Sequence, residues 1–397
     1  MPNASDRSTP IPYALIGGLF LASLALRPQL LAIGPLLPLI RDDLALPASL
    51  AGLLTTIPVL CMGLFAPVGP YVAARLGPRN AFGVCLGLVI GFGVARAVAP
   101  AYPLILLATF GLGVGVGIAG AIPSMIVSQR MTSRPALGTG AYAGGIVAGS
   151  TAAAALAVPL AVGGDWRQSL LVISVVSFVS IVALVLFVPA DRSGRTRPAV
   201  PHLPWRHATA WLLVLAFGLQ SLMYYGVVAW LPNVFVERGW TPADAGSLVA
   251  ITNGVGLITT LGVPLVADRF GGRQRQLVAS AVGSTGAMIA IALVPDLAFV
   301  WVAILGLTLG SIFPLVLTLP LDVADAPAQV GSVASLMLLG GYGVSALGPF
   351  VLGAARDATG NFDASLWILV VVGLGLIGSC LLISPTRLRH GIRRAAP

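Results

Sequence analysis

Arg27 lies about halfway along the first long apolar stretch, 11–40, and no Asp or Glu falls inside any apolar stretch to neutralise it. A guanidinium at the centre of a hydrocarbon layer costs between about 2.5 and about 17 kcal/mol, depending on how helix and bilayer relax. It stands roughly 16 residues, or about 24 Å of helix, from the expected cytoplasmic end, beyond the reach of a snorkelling stem. Pro28 follows directly, removes a backbone donor and is expected to kink the helix, exposing carbonyls that need a hydrated cavity or a neighbour. The chemistry expected of such a residue is bidentate binding of a small oxyanion or carboxylate. The competing account is a guanidinium held by helix-end carbonyls as a packing device.

Other residues suited to the same task are neutral. Gln220 and Tyr224 stand at i and i+4 on one helical face with Tyr225 beside them, and Asn253 is costly in lipid and so expected to face a cavity. An amide and phenols can hydrogen-bond an anion without adding charge. Gln29 and Tyr342 are further candidates, each also able to serve only as an interhelical hydrogen-bonding group. Arg96, four residues before Pro100, is placed where it could reach water or pair with Asp42 or Asp43, and is the last candidate for a substrate or access role.

Positioning these groups requires a membrane. With 57% hydrophobic and 9% charged residues and a mean hydropathy of +0.97, the chain is far from the roughly 25% charged residues of soluble domains. Twelve apolar stretches, from 11–37 to 365–383, are each long enough to cross about 30 Å of hydrocarbon as a helix. Period-two alternation is absent, so the fold class is an all-α membrane protein. The net charge of +9 comes with no lysine; all 22 basic residues are arginine. With a cytoplasmic N-terminus, sixteen arginines fall on cytoplasmic segments and four (Arg41, Arg167, Arg238, Arg356) outside, leaving Arg27 and Arg96 within spans. The positive-inside rule therefore places both termini in the cytoplasm. The polar first ten residues and the long apolar run after them read as a retained first helix rather than a cleaved signal. Cys61, Cys85 and Cys380 all lie in apolar stretches and imply no disulfide framework.

A shift of 194 residues superposes 37–79 on 231–273 without a gap, aligning Arg75-Leu-Gly77-Pro-Arg79 with Arg269-Phe-Gly271-Gly-Arg273 and Arg27 with Ser221. The organisation expected is an N-terminal six-helix bundle (1–189), an Arg- and Pro-rich cytoplasmic linker (190–207) and a C-terminal six-helix bundle (208–397), with substrate bound between two halves that rock.

Several functions are excluded. A Walker A loop needs a lysine, and the chain has none. His202, His207 and His390 all fall on cytoplasmic segments and every acid at a helix end or loop, so no proton relay and no intramembrane hydrolase or acyltransferase site is expected. Gly111, Gly113, Gly115 and Gly117 resemble a dinucleotide loop but sit inside an apolar helix with no preceding strand, which reads as close helix packing.

The chain resembles the major facilitator superfamily. The resemblance rests on the basic loops Arg75–Arg79 and Asp268-Arg269-Phe-Gly271-Gly-Arg273 between the second and third helices of each half, with Ala74 where the first copy should carry its acid. It implies a cytoplasmic gate built from Arg75, Arg79, Asp268, Arg269 and Arg273. Within the superfamily the sequence is similar to the cyanate and nitroimidazole porter family through Leu26-Arg27-Pro28, Gly34-Pro35-Leu36-Leu37-Pro38, Thr55-Thr56-Ile57-Pro58, Arg96, Trp166-Arg167, Gly218-Leu219-Gln220-Ser221, Trp230-Leu231-Pro232, Phe313-Pro314 and Gly341-Tyr342. Ala25 and Leu338 depart from that pattern, where asparagine and glutamine are usual.

The function expected is therefore a non-enzymatic secondary transporter of a small anion in a bacterial cytoplasmic membrane, with no cofactor and no metal. Substrate would be bound by Arg27, Gln29, Arg96, Gln220, Tyr224, Tyr225, Asn253 and Tyr342. Its partners are the anion and the lipid bilayer, not nucleic acid, and the chain is expected to act as a monomer. The alternative is an exporter of neutral heterocycles such as nitroimidazoles.

Overall fold

The computed structural model describes residues 13–131, 135–190, 203–266, 272–323 and 327–383, and among these no strand occurs. The first apolar stretch does not form one helix. It is built from α1 (Tyr13–Ser23), a single turn α2 (Pro28–Leu31) and α3 (Ile33–Leu44). Pro28 opens α2, where its missing N–H costs nothing, and Arg27 before it leaves helical geometry at φ −121°, ψ −11°. The sequence expectation of a kink is thus realised as a break over residues 24–27, and the element runs on to Leu44 rather than ending at Leu37.

The rest of the first half comprises α4 (Ala48–Phe65), α5 (Val68–Leu76), α6 (Pro78–Val98), α7 (Tyr102–Ala119), α8 (Ile122–Arg130), α9 (Pro135–Leu156) and α10 (Trp166–Phe187). The second half comprises α11 (Ala208–Glu237), α12 (Pro242–Val266), α13 (Arg273–Leu293), α14 (Ala298–Leu317), α15 (Leu319–Val323), α16 (Pro327–Thr359) and α17 (Asp363–Leu382). Among the described residues ten segments are long and apolar enough to cross a membrane. Two further long helices, α9 and α12, are diluted by Gly, Ser and Thr, and these two pack against each other across the halves. A helix that faces protein rather than lipid tolerates small and polar residues.

The helix α10 shows how this fold inverts the soluble pattern. Val175, Val176, Phe178, Val179, Val182, Val185 and Leu186 are exposed, whereas Ser169, Ser174, Ser177 and Ser180 are buried. Each buried hydroxyl finds a carbonyl: Ser169 donates to Ala157 at 2.6 Å, Ser177 to Ile173 at 2.7 Å and Ser180 to Leu21 at 2.7 Å. The apolar face is left for lipid, and the polar atoms are satisfied inside.

The halves meet where α4 lies along α16, α9 against α12 and α3 against α11. At the end opposite the arginine-rich loops this contact is close enough to need glycine. A Cβ on Gly34 would overlap the Val228 carbonyl, and one on Gly52 would stand 2.5 Å from the Pro349 carbonyl. At the same end the Asp357 carboxylate of α16 accepts N–H bonds from Ala48 at 2.8 Å and Ser49 at 2.7 Å, the first residues of α4. Arg356 binds Glu237 through Nε and Nη2 at 3.0 and 2.9 Å, and Arg41 of the first half lies in electrostatic range of all three of these charged groups.

Of the residues expected to form a gate, Asp268 and Arg269 lie outside the described residues, as does most of the expected linker. Arg79 donates from Nη2 to the Val185 carbonyl at 2.8 Å, and Arg75 stacks over Tyr71 at 4.5 Å, both within the first half. Arg273 is the first residue of α13. The glycines of α7 pack as expected: a Cβ on Gly113 would stand 2.9 Å from Pro58 Cα, and one on Gly117 would overlap Cys61.

Candidate functional site

The break before Pro28 turns Arg27 into a cavity between the two halves. From the first half only Arg27 and Val147 line it; the remainder comes from α11, α12, α14 and α16. Its volume of about 90 Å³ compares with roughly 10–15 Å³ needed by one water on the same measure. That is room for a solute of several heavy atoms.

The Arg27 guanidinium interacts with the Tyr342 side chain and lies in electrostatic range of Tyr224 and Tyr225. Among the described residues no carboxylate forms an ion pair with it and none lines the cavity. The tyrosine rings are fixed by one another and by their neighbours. Tyr224 and Tyr225 meet edge to face at 5.1 Å, and Tyr342 meets Phe217 edge to face at 5.1 Å.

The hydrogen-bond inventory of the cavity is lopsided. Asn253 Oδ1, its amide acceptor, already receives the Tyr224 hydroxyl at 2.7 Å, while Asn253 Nδ2 donates to the Val249 carbonyl at 2.9 Å. Thr252 and Thr260 spend their hydroxyl protons on the carbonyls of Leu248 and Gly310. Ser221 donates to Gln220 Oε1 at 3.2 Å, which leaves the Gln220 NH₂ group without a protein acceptor among the described residues. Arg27, Gln220 and Tyr342 therefore bring open donors to the cavity, while each amide oxygen already accepts one hydrogen bond.

Six of the eight expected binding residues come together here: Arg27, Gln220, Tyr224, Tyr225, Asn253 and Tyr342. Arg96 and Gln29 do not. Arg96 is fully buried (0% exposed) and donates from Nη2 to both the backbone carbonyl and Oε1 of Gln29, each at 2.6 Å. Nor does Arg96 pair with Asp43, whose carboxylate instead accepts Trp166 Nε1 at 3.0 Å and lies 3.9 Å from Arg167. Both departures have one reason: the break swings Arg27 towards the second half and leaves Gln29 pointing back into the first.

Sequence reasoning missed Thr252, Gly256, Gly306, Gly310 and Phe313 as cavity-lining residues. The signal available was the Gly306–Gly310 spacing in α14, which brings that helix against α12: a Cβ on Gly306 would overlap the Thr252 carbonyl.

The family model of the Major Facilitator Superfamily matches residues 15–349. The chain belongs to the major facilitator superfamily. Its members are transporters and not enzymes, and this is a multi-pass membrane transporter. It is 29% identical over 379 residues to the 2-nitroimidazole transporter of Escherichia coli strain K12, with 92% of this chain and 94% of that one covered. It is 30% identical over 363 residues to the cyanate transport protein CynX of the same organism, with 90% and 94% covered. In fold it is similar to a crystal structure of a D-xylose-proton symporter, at a TM-score of 0.76 and 16% identity, covering 95% of this chain and 99% of that one. In this transporter the twelve sequence-expected spans correspond to two six-helix bundles, some spans divided by a proline or glycine.

Proposed function

We propose that this transporter moves a small monoanion across a bacterial cytoplasmic membrane by alternating access of the cavity between its two bundles. The observation that supports this is Arg27: a guanidinium with no carboxylate partner among the described residues, facing a cavity to which Gln220 and Tyr342 add open donors. An anion arriving there completes a charge pair worth roughly 4 kcal/mol at 4 Å and an effective dielectric near 20. A cation would meet repulsion of the same size. The arginine distribution supports an orientation with both termini and the basic loops cytoplasmic, in which the closed end carrying Asp357 faces outward. The division into bundles 1–189 and 208–397 with a 190–207 linker belongs to the same proposal, as does a gate drawing on Arg75, Arg79, Asp268, Arg269 and Arg273.

Cyanate is the cargo suggested by the name of one relative, and the cavity volume suits a solute of that size. A second reading, export of a neutral heterocycle, has its own support in the aromatic wall of Tyr224, Tyr225, Phe313 and Tyr342 and in the relative named for 2-nitroimidazole.

Uptake into proteoliposomes of cyanate, other small monoanions and 2-nitroimidazole, with and without a pH gradient, separates the two. The expected result is anion uptake that Arg27→Gln abolishes while the variant inserts and folds as the parent does. Preference for the neutral heterocycle with Arg27→Gln unimpaired would overturn the anion reading.

A further inference from the structure

The transport reading leaves Arg96 unused, although it is a fully buried guanidinium with no acid paired to it among the described residues. Its contacts point at one place. Gln29 sits in the single turn α2, between the break over residues 24–27 and a second interruption at Ala32. A helix cut on both sides strands carbonyls that lipid cannot satisfy. Arg96, from α6, answers the Gln29 carbonyl with Nη2 at 2.6 Å and takes Oε1 of the same residue at 2.6 Å. Gln29 Nε2 in turn donates to Ser174 Oγ at 2.7 Å and to the Leu170 carbonyl at 3.0 Å, both on α10. The turn is thereby tied to two neighbouring helices of its own bundle through one residue.

That residue is two positions from Arg27, whose own carbonyl accepts the N–H groups of Leu30 and Leu31 at 3.0 Å. Fixing the Gln29 peptide therefore fixes the end of the turn from which the Arg27 side chain departs. Close packing supports the arrangement: a Cβ on Gly93, one turn before Arg96, would stand 2.7 Å from Ser174 Oγ and 3.1 Å from Gln29 Cδ. Arg96 also lies outside the cavity lining, so it has no direct path to cargo.

We propose that Arg96 is a positioning residue: with Gln29 and Ser174 it forms a clasp that holds the broken first helix open and so aims Arg27 into the transport cavity. Its effect on cargo rests on the reading of Arg27 as the anion's ligand, whereas the clasp itself does not. Arg96 Nε and Nη1 have no partner among the described residues, so the guanidinium sits there with two donors unused. An uncompensated buried charge is a poor stabiliser; a strong donor to one backbone carbonyl is what the break requires.

The test uses purified full-length wild type, Arg96→Met and Arg96→Lys, with two measurements. Amide hydrogen exchange over residues 24–31, without ligand, reads the clasp directly. Cyanate binding by calorimetry, for each Arg96 variant alone and combined with Arg27→Gln, reads its consequence. Loss of a charge-assisted bond to a buried carbonyl is expected to speed exchange over 24–31 in Arg96→Met by about tenfold or more, with α6 and α10 still protected. Cyanate affinity should fall by a similar factor, Arg96→Lys should regain part of both, and in the Arg27→Gln background Arg96→Met should add less than about twofold. Unchanged exchange over 24–31 overturns the proposal. So do additive losses from the two arginines, which make Arg96 a ligand in its own right, and loss of protection throughout the protein, which makes it a general folding residue. If wild type binds no cyanate while Arg96→Met still loosens 24–31, the anion reading falls and the clasp stands.

Discussion

Asp357 is the side chain through which the second bundle holds the first at the closed end, and its removal has a calculable effect. Its carboxylate accepts the Ala48 and Ser49 N–H groups at 2.8 and 2.7 Å. These are orphan donors at the start of α4, where the helix dipole favours an anion. Charge-assisted bonds of this type contribute roughly 1.5–3 kcal/mol each when shielded. The Asp357 side chain is 24% exposed, and solvent screening reduces the sum for the two bonds to about 2 kcal/mol. Because both bonds run between bundles, that energy favours the closed end alone and is lost when the bundles part. Asp357→Ala is therefore expected to shift the equilibrium towards an open end by roughly 30-fold. A minor open population of about 1% would become roughly a quarter. Asp357→Asn keeps one acceptor oxygen and should shift it less. Spin labels at Asp42→Cys and Ala358→Cys, both exposed positions at this end, report the opening as a second, longer distance in double electron–electron resonance. The native Cys61, Cys85 and Cys380 are buried and should not compete for label. Identical distance distributions in wild type and Asp357→Ala would refute the reasoning, since two bonds between bundles cannot vanish without moving an equilibrium they bias.

Gln220→Leu removes the one amide whose NH₂ group is unspent in the cavity, and is expected to raise the KM for anion uptake by about tenfold with little change in thermal stability; an unaltered KM would place the cargo elsewhere. Gly34→Ala puts a methyl where the Val228 carbonyl stands, so the closed end must yield by strain of about 1–3 kcal/mol. The same spin-label pair should then show the longer distance, and a protein that keeps its closed end with unchanged melting temperature would contradict the contact.

The membrane-spanning class and the helical fold were legible in one dimension, because hydrocarbon thickness imposes a minimum apolar length. Arg27 was legible for the same reason: a charge in the middle of an apolar run is costly wherever its side chain points. The break itself was half legible. Pro28 announced an interruption, but whether the chain would bend or stop depends on what neighbours offer the freed carbonyls, and that is supplied by Arg96 from a distant helix.

Which polar residues face the cavity was not written in the sequence. Gln220 and Tyr224 share a helical face, so one correct placement brought the other. Gln29 is two residues from Arg27, close enough in sequence to suggest a shared role, yet a rotation of roughly 100° per residue in a helix, broken here at residue 27, sends the two side chains to opposite sides. Gly256, Gly306 and Gly310 of α12 and α14 carried no signal of a cavity in sequence and became cavity walls only because their helices lean together beside a gap. The amino-acid order determined which groups are too costly to bury without purpose. Only the tertiary arrangement decided which of them, Arg27 or Arg96, was left facing open space, because that depends on the rotation of each helix against its neighbours, set by contacts between residues far apart in the chain.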